Sequence, residues 1–325
     1  MFTRTKSIVL AASLLFGAAF TSAQAKRPAE TRNAALRYWM AFAELQDPPT
    51  DKATAELLEK TAAGEAPWDE AKLGPILDKN EDAILAMQRA TKLPECDWGL
   101  EYERGPRASI AYAPRARVLG RLNTLDGIRL SANGKTQEAI DTWLAGVRFS
   151  QHLARGGGLI FSLIAKMTML SNFHALTQSA QARGWSNLQR KQVEDVIHAL
   201  PETGFDWAEA LGYEQAVLEQ SAAQMAQAND PTVYYQEMMG QAAPAGFEVP
   251  RPSDAAAFQK LMAAAQAALR LPPQQAQDRL KALQDSVKTL QPFYQQTTPS
   301  LTRINDSRAE VQATRETLLN TLSAK

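Results

Sequence analysis

Apolar side chains return every third or fourth position along most of this chain and almost nowhere alternate. A helix places residues three and four apart on one face, whereas a strand places every second residue there, so this spacing commits the chain to helices. Ala35, Tyr38, Trp39, Phe42 and Leu45 form the first such stripe, and Asp47-Pro48-Pro49 ends it, because proline has no N–H to donate and its ring crowds the preceding turn. Alanine, leucine, glutamine and charged residues fill the intervening positions, and these give up little freedom in a helix. The expected fold is all-α: antiparallel helical hairpins in a multi-helix array or bundle, with a C-terminal hairpin of long helices.

The first 25 residues have the makeup of a signal peptide. Arg4 and Lys6 precede an apolar stretch from Ile8 to Phe20, and Ala23-Gln24-Ala25 supplies the small-x-small pattern cleaved between Ala25 and Lys26. A membrane-spanning helix needs about 20 apolar residues, so this stretch is short for an anchor, and no stable membrane insertion is expected after cleavage. The expected location is the periplasm or the exterior of the cell. Cleavage removes two of the 35 basic residues and none of the 35 acidic ones, taking the net charge from zero to −2. A near-neutral, mixed surface lacks the electrostatic footprint of a nucleic-acid binder. One cysteine, Cys96, excludes an internal disulfide, so stability must come from apolar burial.

Further helices are expected from Asp51 to near Gly64, from about Asp69 through a bend at Pro75 toward Leu93, and from Pro114 to about Ala132. The next run from Thr136 to Ala154, from Leu159 to Gly184, and from Ser186 to Pro201. Pro94 to Arg107, with prolines near both ends and two glycines, reads as a loop. Pro201 to Gly204 is the expected division between an N-terminal helical domain (26–200) and an Ala/Gln-rich helical region (201–325). Beyond it come a helix from Phe205 to about Ala228, a short one from Pro231, and an irregular stretch from Ala242 to Ser253. Ala276, Leu280, Leu283, Val287, Leu290 and Tyr294 then alternate steps of four and three, a heptad seam that Ile304, Val311 and Leu318 answer in a second arm.

Gly127, Leu130, Gly134, Ala139, Trp143 and Gly146 together resemble one tetratricopeptide-type helix pair, over about 122–152. The resemblance implies close helix contact at Gly127 and Ala139, with Trp143 as filler, while Asn123 and Asp126 depart from its apolar pattern. No second copy lies 34 residues away, so a stacked array is not expected. The wider order of leader, helices, Cys-Asp-Trp-Gly loop and hairpin resembles exported bacterial proteins of unassigned role.

Catalytic and metal signatures are sparse. His152, His174 and His198 lack ligand spacing, so no metal or other cofactor is expected. His174 draws attention because it sits in the most apolar helix. Cys96 reads as a buried structural thiol, since the neighbouring Asp97 disfavours a thiolate. Gly156-Gly157-Gly158 lacks the Lys-Ser/Thr of a phosphate loop and reads as a tight turn. Glu209, Glu214 and Glu219 crowd one helix region, as a carboxylate pair for glycoside hydrolysis would, but Asp206, Glu209 and Glu214 at helical spacing read as a solvated face.

The sharpest pattern is ionic. Arg121 and Arg129 fall within the apolar stripe of Val118, Leu122, Leu125 and Ile128, and inward guanidinium groups need acceptors. Asp97, Glu101 and Glu103 are the acceptors expected, with Trp98 anchoring their loop on the Pro114–Ala132 helix. Asp97, Trp98, Arg121 and Arg129 are therefore the candidate binding residues; no catalytic residue is singled out. The favoured function is non-enzymatic binding of a protein or peptide partner in the cell envelope. Two alternatives stand: a hydrolase-type enzyme with an anionic-ligand site at Asp97, Arg121 and Arg129, and a carrier of an apolar ligand beside the Leu159–Leu170 helix, lined by Phe161, Met167 and Met169. A continuous groove along Pro114–Ala132 distinguishes the first from these.

Overall fold

The computed structural model describes residues 32–47, 51–107 and 112–324; the expected leader and the expected Ala25/Lys26 cleavage point lie outside them. Among the described residues the fold is all-α, with no β-strand and one isolated bridge between Asn33 and Glu95. In chain order the helices are α1 (Ala34–Glu44), α2 (Lys52–Ala62), α3 (Glu70–Lys79), α4 (Glu81–Ala90), α5 (Tyr112–Ala132), α6 (Thr136–Ala154) and α7 (Leu159–Arg183). They continue with α8 (Asn187–His198), α9 (Trp207–Gln227), α10 (Pro231–Met239), α11 (Pro252–Leu269), α12 (Pro273–Val287), α13 (Pro292–Thr297) and α14 (Leu301–Ser323).

Local chemistry explains most boundaries. Asp51, Asp69, Ser186, Asp206 and Ser300 each accept a backbone N–H of the helix they open, satisfying one of the donors a helix start leaves free. Ser186 and Gln189 form a reciprocal capping box. At the end of α5, Gly134 takes φ +77°, and Lys135 N–H donates to Leu130 O at 2.9 Å while Gly134 N–H donates to Ser131 O at 3.0 Å. This pair of bonds is a Schellman closure and turns the chain back into α6.

Two boundaries differ from expectation. The 69–93 segment does not merely bend at Pro75; it breaks at Asn80, whose buried side chain donates to Ile76 O and accepts from Gln46 N. A side chain that ties the helix to the segment after α1 gives the backbone a reason to stop there. The first C-terminal arm ends at Val287, and Pro292 starts α13, so Leu290 and Tyr294 reach the core from separate turns. The Pro94–Arg107 loop holds a 3-10 segment over Tyr102–Arg107.

Helices α5, α6 and α7 form the centre, and a small residue stands at each crossing. Gly127 of α5 faces the Trp143 indole of α6, Gly120 of α5 faces Thr168 of α7, and Gly146 of α6 faces Asn172 of α7. A side chain at any of them would hold the backbones apart, so the bundle's closeness is written into these positions. One face of α7 is then covered by α14, through Lys166 to Glu310 and through Val311, which lies beside Gly204 together with Met169. Arg190 of α8 donates to Thr321 O and Leu322 O near the end of α14, where a cation meets free carbonyls. Helices on both sides of the Pro201–Gly204 turn thus share one core, and residues 32–325 form one compact unit.

Candidate functional site

Trp98 anchors its loop as expected, in the middle of an aromatic column. It stacks on Tyr112 at 4.4 Å between centroids and packs beside Tyr38 and Phe42 of α1; Tyr112 in turn stacks on Phe161 of α7 at 4.7 Å. Its indole N–H donates to the His152 carbonyl at 2.8 Å. The loop therefore straps α1 to α5, α6 and α7.

The charges do otherwise. Asp97 is exposed and accepts the Gly99 N–H, while its backbone pairs with the Asn33 side chain in both directions. Glu101 pairs with Arg104 inside the loop. Arg121 instead meets Glu59 of α2 at 2.8 Å, and Arg129 holds Glu70 and Asp78 of α3, each at 2.6 Å. Both guanidinium groups are partly covered, with side chains 21% and 26% exposed, so the inward direction is right and the partners are not. α2 and α3 pack on α5 and bring those carboxylates to it. Asp97 and the two arginines do not converge.

The arginine edge of α5 borders a groove. Its first part, about 760 Å³, runs between Pro114, Val118 and Arg121 of α5 and Ile160, Leu163 and Met167 of α7. A second part of about 270 Å³ continues it past Thr124 and Ser171, sharing Arg117, Arg121 and Met167. Gly64, at the end of α2, sits against Gln178, and only beyond that crossing does a third hollow of about 230 Å³ lie between Ile128 and Ala175. The groove is thus open along Pro114–Thr124 and crossed beyond. Ile160, Leu163 and Met167 are 45%, 45% and 47% exposed. Phe161 and Met169, expected beside Met167 in a ligand pocket, are instead packed in the core. α7 is long and apolar enough to cross a membrane by length and composition; here α5, α6, α9 and α14 pack on it.

A second cavity, about 710 Å³, lies between the α3–α4 pair, α5, α6 and α8. The Gln88 amide donates to Asn123, and Asn123 donates to Thr142 O at 2.9 Å. Asp126, beside them, has its carboxyl pushed upward by burial, an effect that the charge of Arg129 and a hydrogen bond from Gln88 oppose and that Glu81 and Glu138 reinforce. Asn123 and Asp126 are the two polar residues that break the tetratricopeptide-like pattern, and both serve this side of the hairpin.

The histidine of structural interest is His152; His174 faces outward. Tyr38 Oη and His152 Nδ1 share a hydrogen bond at 2.7 Å, and burial keeps the phenol in its neutral form. Burial, helped by Arg155, lowers the imidazole to about 4. Cys96 is buried nearby and its thiol is pushed up to about 12, chiefly by burial; a neutral thiol of this kind is a poor nucleophile. The Gly156–Gly158 turn opens α7, and Glu214 of α9 faces the Leu159 N–H there with its carboxyl raised by burial. The protein supplies its own acceptor carboxyl at that helix start. Glu209 is exposed and Glu219 accepts from Gln215, so the three glutamates form no common cluster. Among the described residues no group of His, Cys, Asp and Glu has metal-binding geometry.

No family model matches the chain, and no curated protein or solved structure is significantly similar to it.

Proposed function

We propose that this protein binds a partner protein through the groove between α5 and α7. The occupant is an amphipathic helical segment with apolar residues at steps of three and four and a carboxylate placed against Arg117. The carrying observation is the line of Ile160, Leu163 and Met167, nearly half exposed, facing Pro114 and Val118 across the groove. Three large apolar side chains at positions i, i+3 and i+7 cover no core and lose favourable burial while exposed; laying a partner's apolar stripe on such a row is a common recognition mode. Charge supports the choice of occupant. Arg121 and Arg117 share the single carboxylate of Glu59, the latter only at 3.5 Å, so the rim has one positive charge to spare.

The reading places this binding outside the cytosol, on the strength of the leader-like first 25 residues. Mass spectrometry of the protein from its native cells tests that part: a mature chain beginning at Lys26 supports export, and an intact leader on a cytosolic chain overturns it.

The groove is tested by panning a library of helical peptides on the mature chain and measuring the selected peptides by fluorescence anisotropy. They are expected to show three- and four-step apolar spacing with an acid, and to bind Leu163→Asp at least tenfold more weakly (about 1.4 kcal/mol). Leu188→Asp, at a leucine of α8 that is 79% exposed, should leave them unaffected. Selected peptides that bind Leu163→Asp as well as the wild type would sink the proposal, as would a library that yields none.

A further inference from the structure

The cavity beside Asp126 is electrically polarised along its length. Asp126 stands with Glu81 and Glu138 close enough to feel each other's charge. Arg129 is already committed to Glu70 and Asp78, and Lys135 to Glu138, so this end keeps an excess of negative charge. Lys92, just past α4, and Arg148 of α6 line the same cavity and make no ion pair among the described residues. The two groups of charge sit at opposite ends. Gln88 and Thr142 meet at Asn123, one turn from Asp126, and Arg148 lies six residues beyond Thr142 along α6, about 9 Å at 1.5 Å per residue. Lys92 is likewise one turn beyond Gln88. The lining is mixed, and along α6 the apolar Leu144 and Ala145 lie between Thr142 and Arg148, with Ile84 of α4 also in the wall.

We propose that this cavity is a binding site for a short unblocked peptide of dipeptide size, with its ammonium group at the Asp126 end, its carboxylate at Arg148 and Lys92, and an apolar side chain against Leu144, Ala145 and Ile84. The chemistry follows from the separation. Asp126 is half-buried, is reached by the Gln88 amide and the charge of Arg129, and makes no ion pair of its own among the described residues; such a carboxylate gains from a cation that replaces its lost water. A guanidinium suits a carboxylate through two parallel hydrogen bonds. A ligand with one opposite charge at each end satisfies both, and a dipeptide backbone with extended side chains on the protein spans the gap. A singly charged ligand leaves one end unpaired. The site is distinct from the α5–α7 groove, so either can stand without the other.

The test uses Ala-Leu, Leu-Ala and Leu-Leu, each titrated calorimetrically into the mature chain beside its N-acetylated and C-amidated forms. At least one free dipeptide is expected to bind saturably. Acetylation should weaken it at least tenfold, and so should amidation. Asp126→Asn should weaken the free peptide tenfold yet make no further difference to the acetylated one. Arg148→Met should do the same with respect to the amidated one; Arg148 is exposed, so this variant keeps its fold even where Asp126→Asn does not. No saturable heat from any of the three free dipeptides up to about 5 mM, which covers millimolar affinity, overturns the proposal. So does a blocked peptide that binds as tightly as its free parent.

Discussion

The indole of Trp143 lies against Gly127 and donates its N–H to Thr124 O at 3.2 Å. A methyl group on Gly127 would overlap that ring, which is itself almost fully buried. Gly127→Ala gains up to about 1 kcal/mol of helix propensity, but overpacking a tight core site costs about 1–3 kcal/mol. The net effect is a loss of stability, read as a lower urea midpoint at unchanged slope. A midpoint equal to or above the wild type would show that α5 and α6 can separate freely.

His152 makes stability depend on pH. Its pKa is near 4 in the folded chain against about 6.5 unfolded, so between those values the unfolded state binds more protons. Stability therefore rises with pH through this window and is lost as pH falls from about 6.5 toward 4, at up to about 1.4 kcal/mol per unit. His152→Gln keeps a hydrogen-bond partner for Tyr38 and removes the titration. Urea unfolding at pH 7 and pH 4.5 should show a clearly smaller difference in this variant than in the wild type; an equal difference would assign the acid sensitivity elsewhere.

The two arginines of α5 should differ. Arg129 binds two carboxylates, one of them with two nitrogens, whereas burial is the largest influence on Arg121 and pushes its pKa down. The acids are more than half exposed, so solvent screening limits each pair to about 1 kcal/mol or less. Arg129→Met is expected to cost about 1 kcal/mol and Arg121→Leu less than half of that, by chemical denaturation. The reverse order would mean that Arg121 carries the α2 attachment.

Arg308 of α14 is 3% exposed and has no carboxylate partner among the described residues. It donates to Asn305 Oδ1 and Leu271 O, its Nε is unsatisfied, and burial lowers its pKa to about 10. Arg308→Ala strands both acceptors and opens a void, at about 2–4 kcal/mol. Thermal unfolding should show a clear drop; an unchanged midpoint would mean water fills the site at no cost.

Local signals in the chain marked the helices well where a cap or stripe was strong. Asp51, Ser186 and Gly134 open or close helices through bonds to their own neighbours, so nothing distant is needed to read them. The seam of Ala276, Leu280 and Val287 against Ile304, Val311 and Leu318 is likewise buried as its spacing predicts. α11 escaped such reading because its run of alanines gives little contrast between faces. Of the candidate binding residues, Trp98 is anchored as expected, while the arginines found other acids. A helical wheel gives a direction for Arg121 and Arg129, and their partners Glu59, Glu70 and Asp78 stand 51–62 residues away, beyond any local pattern.

The sequence by itself determined that this protein is helical, because the three- and four-residue return of apolar side chains and the capping residues act over a single turn. Only the tertiary structure decided which histidine is buried, which acids the arginines hold, and which apolar row is left uncovered. Burial depends on where neighbouring helices lie: four of them cover most of α7, leaving Ile160, Leu163 and Met167 in the open while closing over Phe161 and Met169 one step along the same helix.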